Sequence, residues 1–315
     1  MAGPSASCRL PCPGGARGTE RPARGTERAE ARDRRIWYTV AMDDRGGPTD
    51  RVTLAAPGVA VELDPANGGR IATLRLDGLE LIKPDGYGPI EWGAYPMVPW
   101  AGRLRDGILR FRGETHRLPL SLPPHAIHGT TWTLPWSVVE TAPDEATLAI
   151  ELGPPWPFGG RALHRVAVEA GGLRSTIEIH AGERPMPAIV GWHPWLPRRL
   201  AAGGPAELVL RAGGMLRRGP DGIPTGEVVP PSAGPWDDAF VDVTQPVIVR
   251  WPGAVELAIS APESAWWVCY TERDDAICVE PQTGPPNGLS TREHAVVEPG
   301  RPLVATMTIS WRRRF

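Results

Sequence analysis

The sequence predicts an all-β fold, either a sandwich or a barrel of many short strands. Apolar and polar residues alternate with a period of two over residues 173–180, 255–259 and 305–311, the pattern of strands that bury one face. No segment carries apolar residues at helical spacing for three turns. The chain also contains 37 glycines and 37 prolines, which divide it into short elements. Short strands with frequent turns are typical of sandwiches and barrels, so we expect one all-β domain.

Two Asp-Gly pairs predict tight hairpins. Asp77-Gly78 follows residues 73–76 and precedes another short apolar run, and Asp106-Gly107 separates residues 103–105 from residues 109–112. Asp-Gly is favoured in two-residue hairpin turns because both turn positions adopt positive φ angles. Each pair is therefore expected to join two adjacent antiparallel strands.

A third hairpin is expected over residues 265–280, where two apolar runs flank a polar turn. If Trp267 lies opposite Glu280, then Cys269 lies opposite Cys278, and all four side chains share one face. The apolar neighbours would raise the pKa of a carboxylate there unless a cation compensates. A slip of one residue would reverse the faces.

The first 50 residues differ from the rest of the chain. They are rich in Arg, Gly, Pro, Ala and Glu, and they contain almost no aliphatic residues before Ile36. Such a composition buries too little apolar surface to offset the entropy cost of ordering. We therefore expect a disordered leader over residues 1–50 and one catalytic domain over residues 51–315. The leader lacks the apolar core of a secretory signal, and a start of the protein at Met42 is an equally good interpretation.

Charge and thiol content exclude several classes of function. The net charge is −2, and no long basic stripe lies outside the leader and residues 312–314, so no nucleic-acid partner is expected. No stretch approaches the roughly 20 apolar residues of a membrane span, so no membrane partner is expected. Past the leader only Cys269 and Cys278 remain, which favours a reducing compartment and a cytoplasmic location. The only lysine, Lys83, lies in a turn, which argues against Schiff-base chemistry.

Two histidines lie beside residues that restrict the backbone. His128 precedes Gly129, and His193 precedes Pro194. Glycine permits an unusual turn or the close approach of a ligand, and proline holds the preceding residue in an extended conformation. A histidine in a β protein is most often a surface or structural residue, but these two settings favour a functional role.

Glu280 is the candidate carboxylate. It ends an apolar run and precedes Pro281, which cannot donate to a sheet ladder, so the strand is expected to end there or to lie at an edge. The alternative is a surface glutamate at a strand end. An ionised carboxylate and a protonated imidazole are a general base and a general acid that work together near neutral pH. Glu280 and His193 therefore indicate acid–base chemistry on a small polar substrate, with a sugar as the best candidate.

Aromatic and basic side chains could bind such a substrate. Arg103 presents a fixed fork of donors, and the nearby Trp100 ring suits the apolar face of a pyranose. Trp192 and Trp195 flank His193, and both are expected to point away from it and to pack.

A metal site is an alternative for the same histidines. His125 and His128 lie three residues apart, so they could share an ion with His193 and Glu280 only if a loop turned them to the same side.

At these motifs the sequence resembles the aldose 1-epimerase (galactose mutarotase-like) family, from about Val59 to Trp311. The matching segments are residues 99–103 (PWAGR), 125–129 (HAIHG), 191–194 (GWHP), 236–240 (WDDAF) and 280–283 (EPQT). The resemblance implies a large antiparallel β-sandwich with the sugar in a cleft on one sheet, and it implies no cofactor and no metal.

The resemblance also implies roles for individual residues. Glu280 resembles the general base of the family, His193 the general acid, and His128 the second active-site histidine, which helps polarise the ring oxygen. The implied ligands of the sugar hydroxyls are Arg103 and one of the adjacent Asp237 and Asp238, and Trp100 and Gln282 are further candidate substrate-binding residues in the matching segments.

The expected protein is thus a monomeric or homodimeric isomerase that interconverts the α and β anomers of a hexose by ring opening and reclosure. One alternative is a hexose-6-phosphate 1-epimerase, in which Arg105, Arg198 or Arg199 would supply extra cations. A second is a carbohydrate-binding module without turnover. A third is a retaining glycosidase, which would need two carboxylates about 5–5.5 Å apart.

Overall fold

The computed structural model describes residues 51–313, so the leader predicted over residues 1–50 and the last two residues of the chain lie outside the described part. Two 3-10 turns (Pro65–Asn67 and Arg105–Gly107) and one short helix, α1 (Gly288–Thr291), accompany 25 strands within it. No helix within residues 51–313 has the length and apolarity needed to cross a bilayer.

The strands in chain order are β1 (Val52–Ala56), β2 (Val59–Asp64), β3 (Arg70–Leu76), β4 (Leu79–Glu80), β5 (Ala94–Met97), β6 (Arg103–Leu104), β7 (Ile108–Phe111), β8 (Glu114–Arg117), β9 (Ala126–Ile127), β10 (Ser137–Thr141), β11 (Glu145–Glu151), β12 (Arg161–Glu169), β13 (Gly172–His180), β14 (Met186–Ala188), β15 (Gly191–Pro197), β16 (Glu207–Val209), β17 (Ala212–Arg218), β18 (Pro224–Val229), β19 (Asp237–Val243), β20 (Val247–Trp251), β21 (Val255–Ser260), β22 (Trp266–Tyr270), β23 (Ala276–Gln282), β24 (Ala295–Val297) and β25 (Leu303–Arg313).

Two large antiparallel sheets dominate the fold. The first has the strand order β1-β2-β3-β5-β15-β23-β22-β19-β17-β18, with β4 paired to β3. The second has the order β10-β11-β12-β13-β25-β21-β20-β16. Among the described residues, the pairs β14-β24, β6-β9 and β7-β8 form separate two-stranded ladders. The predicted all-β, antiparallel sandwich is confirmed.

The two large sheets pack against each other around one apolar core. Leu54 and Trp192 of the first sheet belong to the same cluster of buried side chains as Val166 and Met307 of the second. The period-two pattern accounts for this core: alternate positions of β21 are buried, and the others are only half-buried. The sequence pattern therefore identified the core face of these strands correctly.

A buried polar chain connects the two sheets through the core. The Trp192 indole Nε1 donates to Ser175 Oγ at 2.8 Å, and Ser175 Oγ lies 2.7 Å from His164 Nε2. His164 Nδ1 lies 2.9 Å from the Gly69 carbonyl oxygen, which can only accept, so Nδ1 carries the proton. Nε2 of the neutral ring then accepts from the Ser175 hydroxyl. Every polar side-chain atom of His164, Ser175 and Trp192 therefore has a hydrogen-bond partner.

Of the two Asp-Gly hairpins, the first is confirmed and the second is wrong. Leu76 pairs with Leu79 across Asp77-Gly78. Asp106-Gly107 instead lies in a 3-10 turn, because β6 pairs with the distant β9 and not with β7. The strand β7 forms its hairpin with β8. Its turn is Arg112-Gly113, where both residues have positive φ.

The third hairpin exists, but its predicted register is wrong by one residue. Val268 lies opposite Glu280, and Tyr270 lies opposite Cys278. Thr271 is held by Trp236, the residue before β19, and does not pair across the turn: its N–H donates to the Trp236 carbonyl, and its hydroxyl accepts from the Trp236 N–H. The expectation that Trp267 and Cys269 share the face of Glu280 is therefore corrected.

Candidate active site

A cavity of about 360 Å³ opens on the first sheet, a size typical of pockets for small molecules. It is lined by seven of the eight side chains singled out from the sequence as site residues. These are Arg103, His128, His193, Asp237, Asp238, Glu280 and Gln282.

His193 and Glu280 form the centre of this site. His193 Nε2 lies 3.3 Å from Glu280 Oε1, and both residues are almost completely buried. The two residues belong to neighbouring strands, because β15 pairs with β23 with Gly191 opposite Gln282 and Trp195 opposite Cys278. By that register His193 falls opposite Glu280, so the sheet itself brings the imidazole and the carboxylate together.

Two prolines explain why this pairing is possible inside a sheet. The ladder between β15 and β23 is interrupted between its pairs at Gly191 and Trp195, and both Pro194 and Pro281 fall within the interruption. Since proline has no N–H to donate, the missing ladder bonds leave no orphan donor at those positions. The expectation that the strand ends or becomes an edge at Pro281 is wrong: β23 runs to Gln282 and lies between β15 and β22.

His128 reaches the same site from a strained loop. Its backbone has a φ of 58°, and its N–H donates to the Gly102 carbonyl at 3.1 Å. The next residue, Gly129, has a φ of 85°, and a Cβ there would lie 1.8 Å from the Val98 carbonyl oxygen. Only glycine fits, as the sequence indicated. The His128 ring packs edge-on against His193, with ring centroids 4.9 Å apart.

Two aromatic rings enclose the His193 imidazole. Tyr95 stacks on one side with centroids 4.8 Å apart, and Trp195 stacks at 5.3 Å. Trp195 also lines the cavity, so the expectation that it points away from His193 is wrong; residues two apart on a strand share a face. Trp192 does point away, into the core.

Burial controls the protonation of this centre. It raises the pKa of Glu280 well above its usual value, and Asp237 adds to the rise while Arg103 opposes it. It lowers the pKa of His193 to about 3. Burial, together with His193 and Arg103, also lowers the pKa of His128 well below its usual value. Both members of the Glu280–His193 pair thus resist charge, and burial favours a proton on Glu280 beside a neutral His193.

Charged side chains form another part of the cavity wall. Asp237 Oδ2 lies 3.2 Å from Arg103 Nη2 and 3.3 Å from Arg218 Nη1. Arg218 also pairs with Asp238 and with Glu272. Arg218 was missed in the sequence, because nothing near it in the chain distinguishes it from a surface arginine.

The two neighbouring aspartates are not equivalent. Asp237 lies opposite Tyr270, on the face that carries Glu280, whereas Asp238 lies opposite Cys269 on the other face. Both carboxylates nevertheless reach the cavity, because they lie at the start of β19. Burial raises the pKa of Asp238, and the charge of Arg218 opposes this rise.

Gln282 supports the carboxylate of Glu280 from the same strand face. Its Nε2 lies 3.5 Å from Glu280 Oε2, at the long limit of a hydrogen bond. Its Oε1 is buried and has no hydrogen-bond partner among the described residues. An unpaired buried acceptor at a cavity wall is suited to a ligand hydroxyl.

Trp100 does not line the cavity. Its side chain is 2% exposed and stacks on Trp156 in the core, with ring centroids 6.0 Å apart. The prediction that Trp100 offers a surface to the sugar is therefore corrected, and Trp195 is the indole that borders the cavity.

The four-residue metal hypothesis is also corrected. His125 accepts from the Asp106 N–H through Nδ1, and its Nε2 lies 3.1 Å from the Asp221 carbonyl oxygen, so both nitrogens are engaged in the loop. A different set does come together: ligand atoms of His193, Cys278 and Glu280 all lie within 4.8 Å of one another.

Comparisons with known proteins agree with this architecture. Residues 65–310 match the family model of aldose 1-epimerase. A protein of Escherichia coli K12, YihR, is 25% identical over 144 residues, which cover 43% of this chain and 46% of that protein. The chain thus spans about half the length of this curated relative.

Solved structures show the same fold. A galactose mutarotase-like protein from Clostridium acetobutylicum superimposes with a TM-score of 0.75 at 16% identity, covering 84% of this chain and 95% of that one. A galactose 1-epimerase from Lactobacillus acidophilus gives 0.68 at 16% identity with the same coverages. An aldose epimerase homologue from C. elegans gives 0.72 at 14% identity, covering 84% and 99%.

Proposed function

Because the chain belongs to the aldose 1-epimerase family, we propose that it interconverts the α and β anomers of an unphosphorylated aldose by opening and reclosing the sugar ring. Family membership supports a carbohydrate epimerase. The contact between His193 and Glu280 in the cavity is the observation that carries the finer proposal.

The reaction needs two proton transfers at neighbouring oxygens. A base removes the proton of the anomeric hydroxyl while an acid protonates the ring oxygen, the bond between the anomeric carbon and the ring oxygen breaks, and a free aldehyde forms. Rotation about the adjacent carbon–carbon bond exposes the other face, and the same two transfers run in reverse. Since both oxygens are bonded to one carbon, an acid and a base in contact with each other can serve both.

The single proton shared by the pair suits this chemistry. With the proton on His193, Glu280 is the base for the hydroxyl and His193 is the acid for the ring oxygen. Burial favours the proton on Glu280, so this reactive arrangement is the minor one; the charge of Arg103 opposes part of the rise in the pKa of Glu280 and so reduces the cost of forming it. After ring opening the proton has passed from His193 to the sugar and another from the sugar to Glu280, so closure can follow without exchange with solvent.

His128 complements the pair without changing charge. Its pKa is lowered, so the ring is neutral and can donate one N–H to the sugar. Its Nδ1 is buried and has no partner among the described residues. We assign His128 to the ring oxygen and Asp237, with Arg103, to the ring hydroxyls.

The charges of the cavity favour a neutral sugar over a sugar phosphate. Each lining arginine is already paired with carboxylates: Arg103 with Asp237, Arg218 with three acidic residues, and Arg273 with Glu91. Five carboxylic acids line the same cavity, namely Glu91, Asp237, Asp238, Glu272 and Glu280. A phosphate would face more acids than cations.

The arginines suggested for a phosphate site lie elsewhere. Arg105 pairs with Asp221. Arg198 donates to the carbonyls of Thr271 and Arg273. None of Arg105, Arg198 and Arg199 lines the cavity.

Exchange NMR or polarimetry on freshly dissolved α-glucose and α-galactose tests the proposal, with glucose 6-phosphate as the third substrate. We expect faster anomerisation of the neutral sugars. Glu280→Gln should lower the rate by about 10²–10⁴-fold, the usual contribution of a positioned general base. Glu207→Gln is the matched control, because Glu207 is an exposed residue of the second sheet paired with Arg250. Full activity of folded Glu280→Gln would contradict the mechanism, and faster turnover of glucose 6-phosphate would contradict the substrate class.

A further inference from the structure

One buried thiol lies close to the acid–base pair but does not line the cavity, and it has no part in the proposed reaction. Cys278 lies two residues before Glu280 on β23, is fully buried and is a free cysteine. It lies opposite Trp195 on one side and Tyr270 on the other. Within residues 51–313 the other free thiol is Cys269, which lies on the neighbouring strand β22 opposite Val279 and so faces away from Glu280.

The sheet geometry brings three unlike donors to one point. Cys278 and Glu280 are at positions i and i+2 of one strand, so their side chains share a face, and His193 reaches the same place from the adjacent strand. The candidate ligand atoms of the three residues, one thiol sulfur, one imidazole nitrogen and one carboxylate oxygen, all lie within 4.8 Å of one another. In addition, His193 Nδ1 is buried without a hydrogen-bond partner among the described residues.

We propose that His193, Cys278 and Glu280 form a binding site for a thiophilic divalent cation, Zn²⁺ in the first instance, and that this ion blocks the acid–base pair. Imidazole, thiolate and carboxylate are the three donors that zinc takes in proteins, and a set of three leaves the fourth tetrahedral position open to water from the cavity. One thiolate and one carboxylate balance the charge of the cation, so the buried site stays neutral overall.

The required rearrangement is small. Zinc–nitrogen and zinc–sulfur bonds of about 2.0 and 2.3 Å in a tetrahedron place ligand atoms roughly 3.3–3.6 Å apart. The atoms of this triad are within 4.8 Å before any ion binds. Side-chain movements of about 1 Å would bring the three ligand atoms to these separations. The strands would stay in register. Binding releases two protons to solvent, the Cys278 thiol proton and the proton shared by Glu280 and His193, because zinc binds the thiolate, the carboxylate and an unprotonated ring nitrogen.

The ion would compete with the substrate, and this consequence rests on the proposed function. Glu280 Oε1 and His193 Nε2 are the atoms assigned to the two proton transfers, and a metal that holds them removes both the base and the acid. Sugar and zinc would therefore exclude each other. Zinc binding itself is independent of whether the protein turns over any sugar.

Cobalt(II) is the best probe of the site, because a cobalt–thiolate bond gives a charge-transfer band in the near ultraviolet that ligation by nitrogen and oxygen alone lacks. The full-length protein is titrated with Co²⁺ and then with Zn²⁺, which should displace it one for one. We expect wild type to bind one Co²⁺ with this band. Cys278→Ser and Cys278→Ala should lose the band and bind at least about 100-fold more weakly, since loss of an outer partner alone costs 10–100-fold.

Two controls separate this site from the other thiols. Cys269→Ser removes the buried thiol on the opposite face, and the double variant Cys8→Ser, Cys12→Ser removes the thiols outside the described residues. Both should keep the band. A band that survives in the Cys278 variants, or that disappears only in the double variant, would overturn the proposal, as would absence of binding to wild type at millimolar Co²⁺.

The kinetic arm distinguishes this proposal from the proposed function. Zn²⁺ should inhibit anomerisation competitively with the sugar, and Cys278→Ala should turn over at a rate close to wild type but resist zinc. If wild type binds Co²⁺ through Cys278 but catalyses no anomerisation, the metal site stands and the epimerase assignment fails. If the enzyme is active and zinc inhibits both proteins equally, the metal site fails and the epimerase assignment stands.

Discussion

The buried chain of His164, Ser175 and Trp192 should make the stability of this protein depend on pH, and the effect can be calculated from the structure. Burial lowers the pKa of His164 from 6.5 to about 4, and the hydrogen bond to the Gly69 carbonyl opposes only part of that fall. The unfolded chain therefore binds a proton at this residue at a higher pH than the folded chain does. As the pH falls from 6.5 towards 4, the free energy of unfolding decreases.

The magnitude follows from the size of the shift. A change from 6.5 to about 4 corresponds to about 3 kcal/mol at 1.36 kcal/mol per pKa unit. The loss is absent above pH 6.5 and complete below about pH 4, because the folded protein binds the proton as well at lower pH. Protonation would place a second N–H against Ser175 Oγ, which already accepts from Trp192. The Ser175 hydroxyl proton would then lose its acceptor.

Urea unfolding at several pH values between 7 and 4, in wild type and in His164→Asn, measures this effect. An asparagine amide can keep the donation to the Gly69 carbonyl and does not titrate. The variant is expected to be less stable than wild type at pH 7. Between pH 7 and pH 4, however, its free energy of unfolding should decrease by about 3 kcal/mol less than that of wild type. The other buried histidines, His128 and His193, shift in the same direction in both proteins and cancel in the difference. Parallel curves for the two proteins would refute the reasoning.

Three further predictions concern the site. Gly129→Ala should place a Cβ against the Val98 carbonyl, destabilise the protein by at least 1–3 kcal/mol in urea and lower kcat, because His128 is displaced; unchanged values would show that the loop adapts. Trp195→Leu should raise the KM for sugar, whereas Trp100→Phe should leave KM unchanged in the same polarimetric assay; the reverse order would restore Trp100 as a sugar contact. Arg70→Met should cost about 3 kcal/mol and raise KM, because the buried guanidinium donates to four backbone carbonyls and fixes the loop that lines the cavity at Ile90; an unchanged KM would remove the role in positioning.

Local rules predicted the parts of this fold that local contacts determine. The alternation over residues 255–259 gave the buried face of β21, and Asp77-Gly78 gave the β3-β4 turn. The setting of Gly129 likewise predicted an unusual backbone, which the structure shows as a positive φ with no room for a Cβ. The turn residues act within a few positions of the pattern, whereas Val98, whose carbonyl leaves no room for a Cβ at Gly129, lies 31 residues away in the sequence.

The errors arose where distant partners decide. Asp106-Gly107 forms no hairpin because β6 pairs with β9, some twenty residues away. Trp100 is in the core because Trp156 stacks on it, and nothing near residue 100 indicates this contact. Arg218 reaches the cavity through ion pairs with residues of β19 and with Glu272. No spacing in the sequence reports such contacts.

The register of one hairpin had the largest consequence for the chemistry. With Trp267 opposite Glu280, the carboxylate would have faced the apolar core, since Trp267 is fully buried there. In the observed register Glu280 shares a face with Tyr270 and lines the cavity instead. A slip of one residue thus decides whether the carboxylate can meet a substrate.

The prolines supply a signal that period-two patterns lack. His193-Pro194 and Glu280-Pro281 each place a proline directly after an acid–base residue, and the two strands are antiparallel neighbours. Within a central ladder two such prolines are tolerated only where the strands make no hydrogen bonds, so they identify the interruption and the residues beside it. Since His193 then falls opposite Glu280, the pair of prolines locates the contact between acid and base. Two acid–base residues, each followed by proline on predicted neighbouring strands, are therefore better evidence for a shared site than either residue alone.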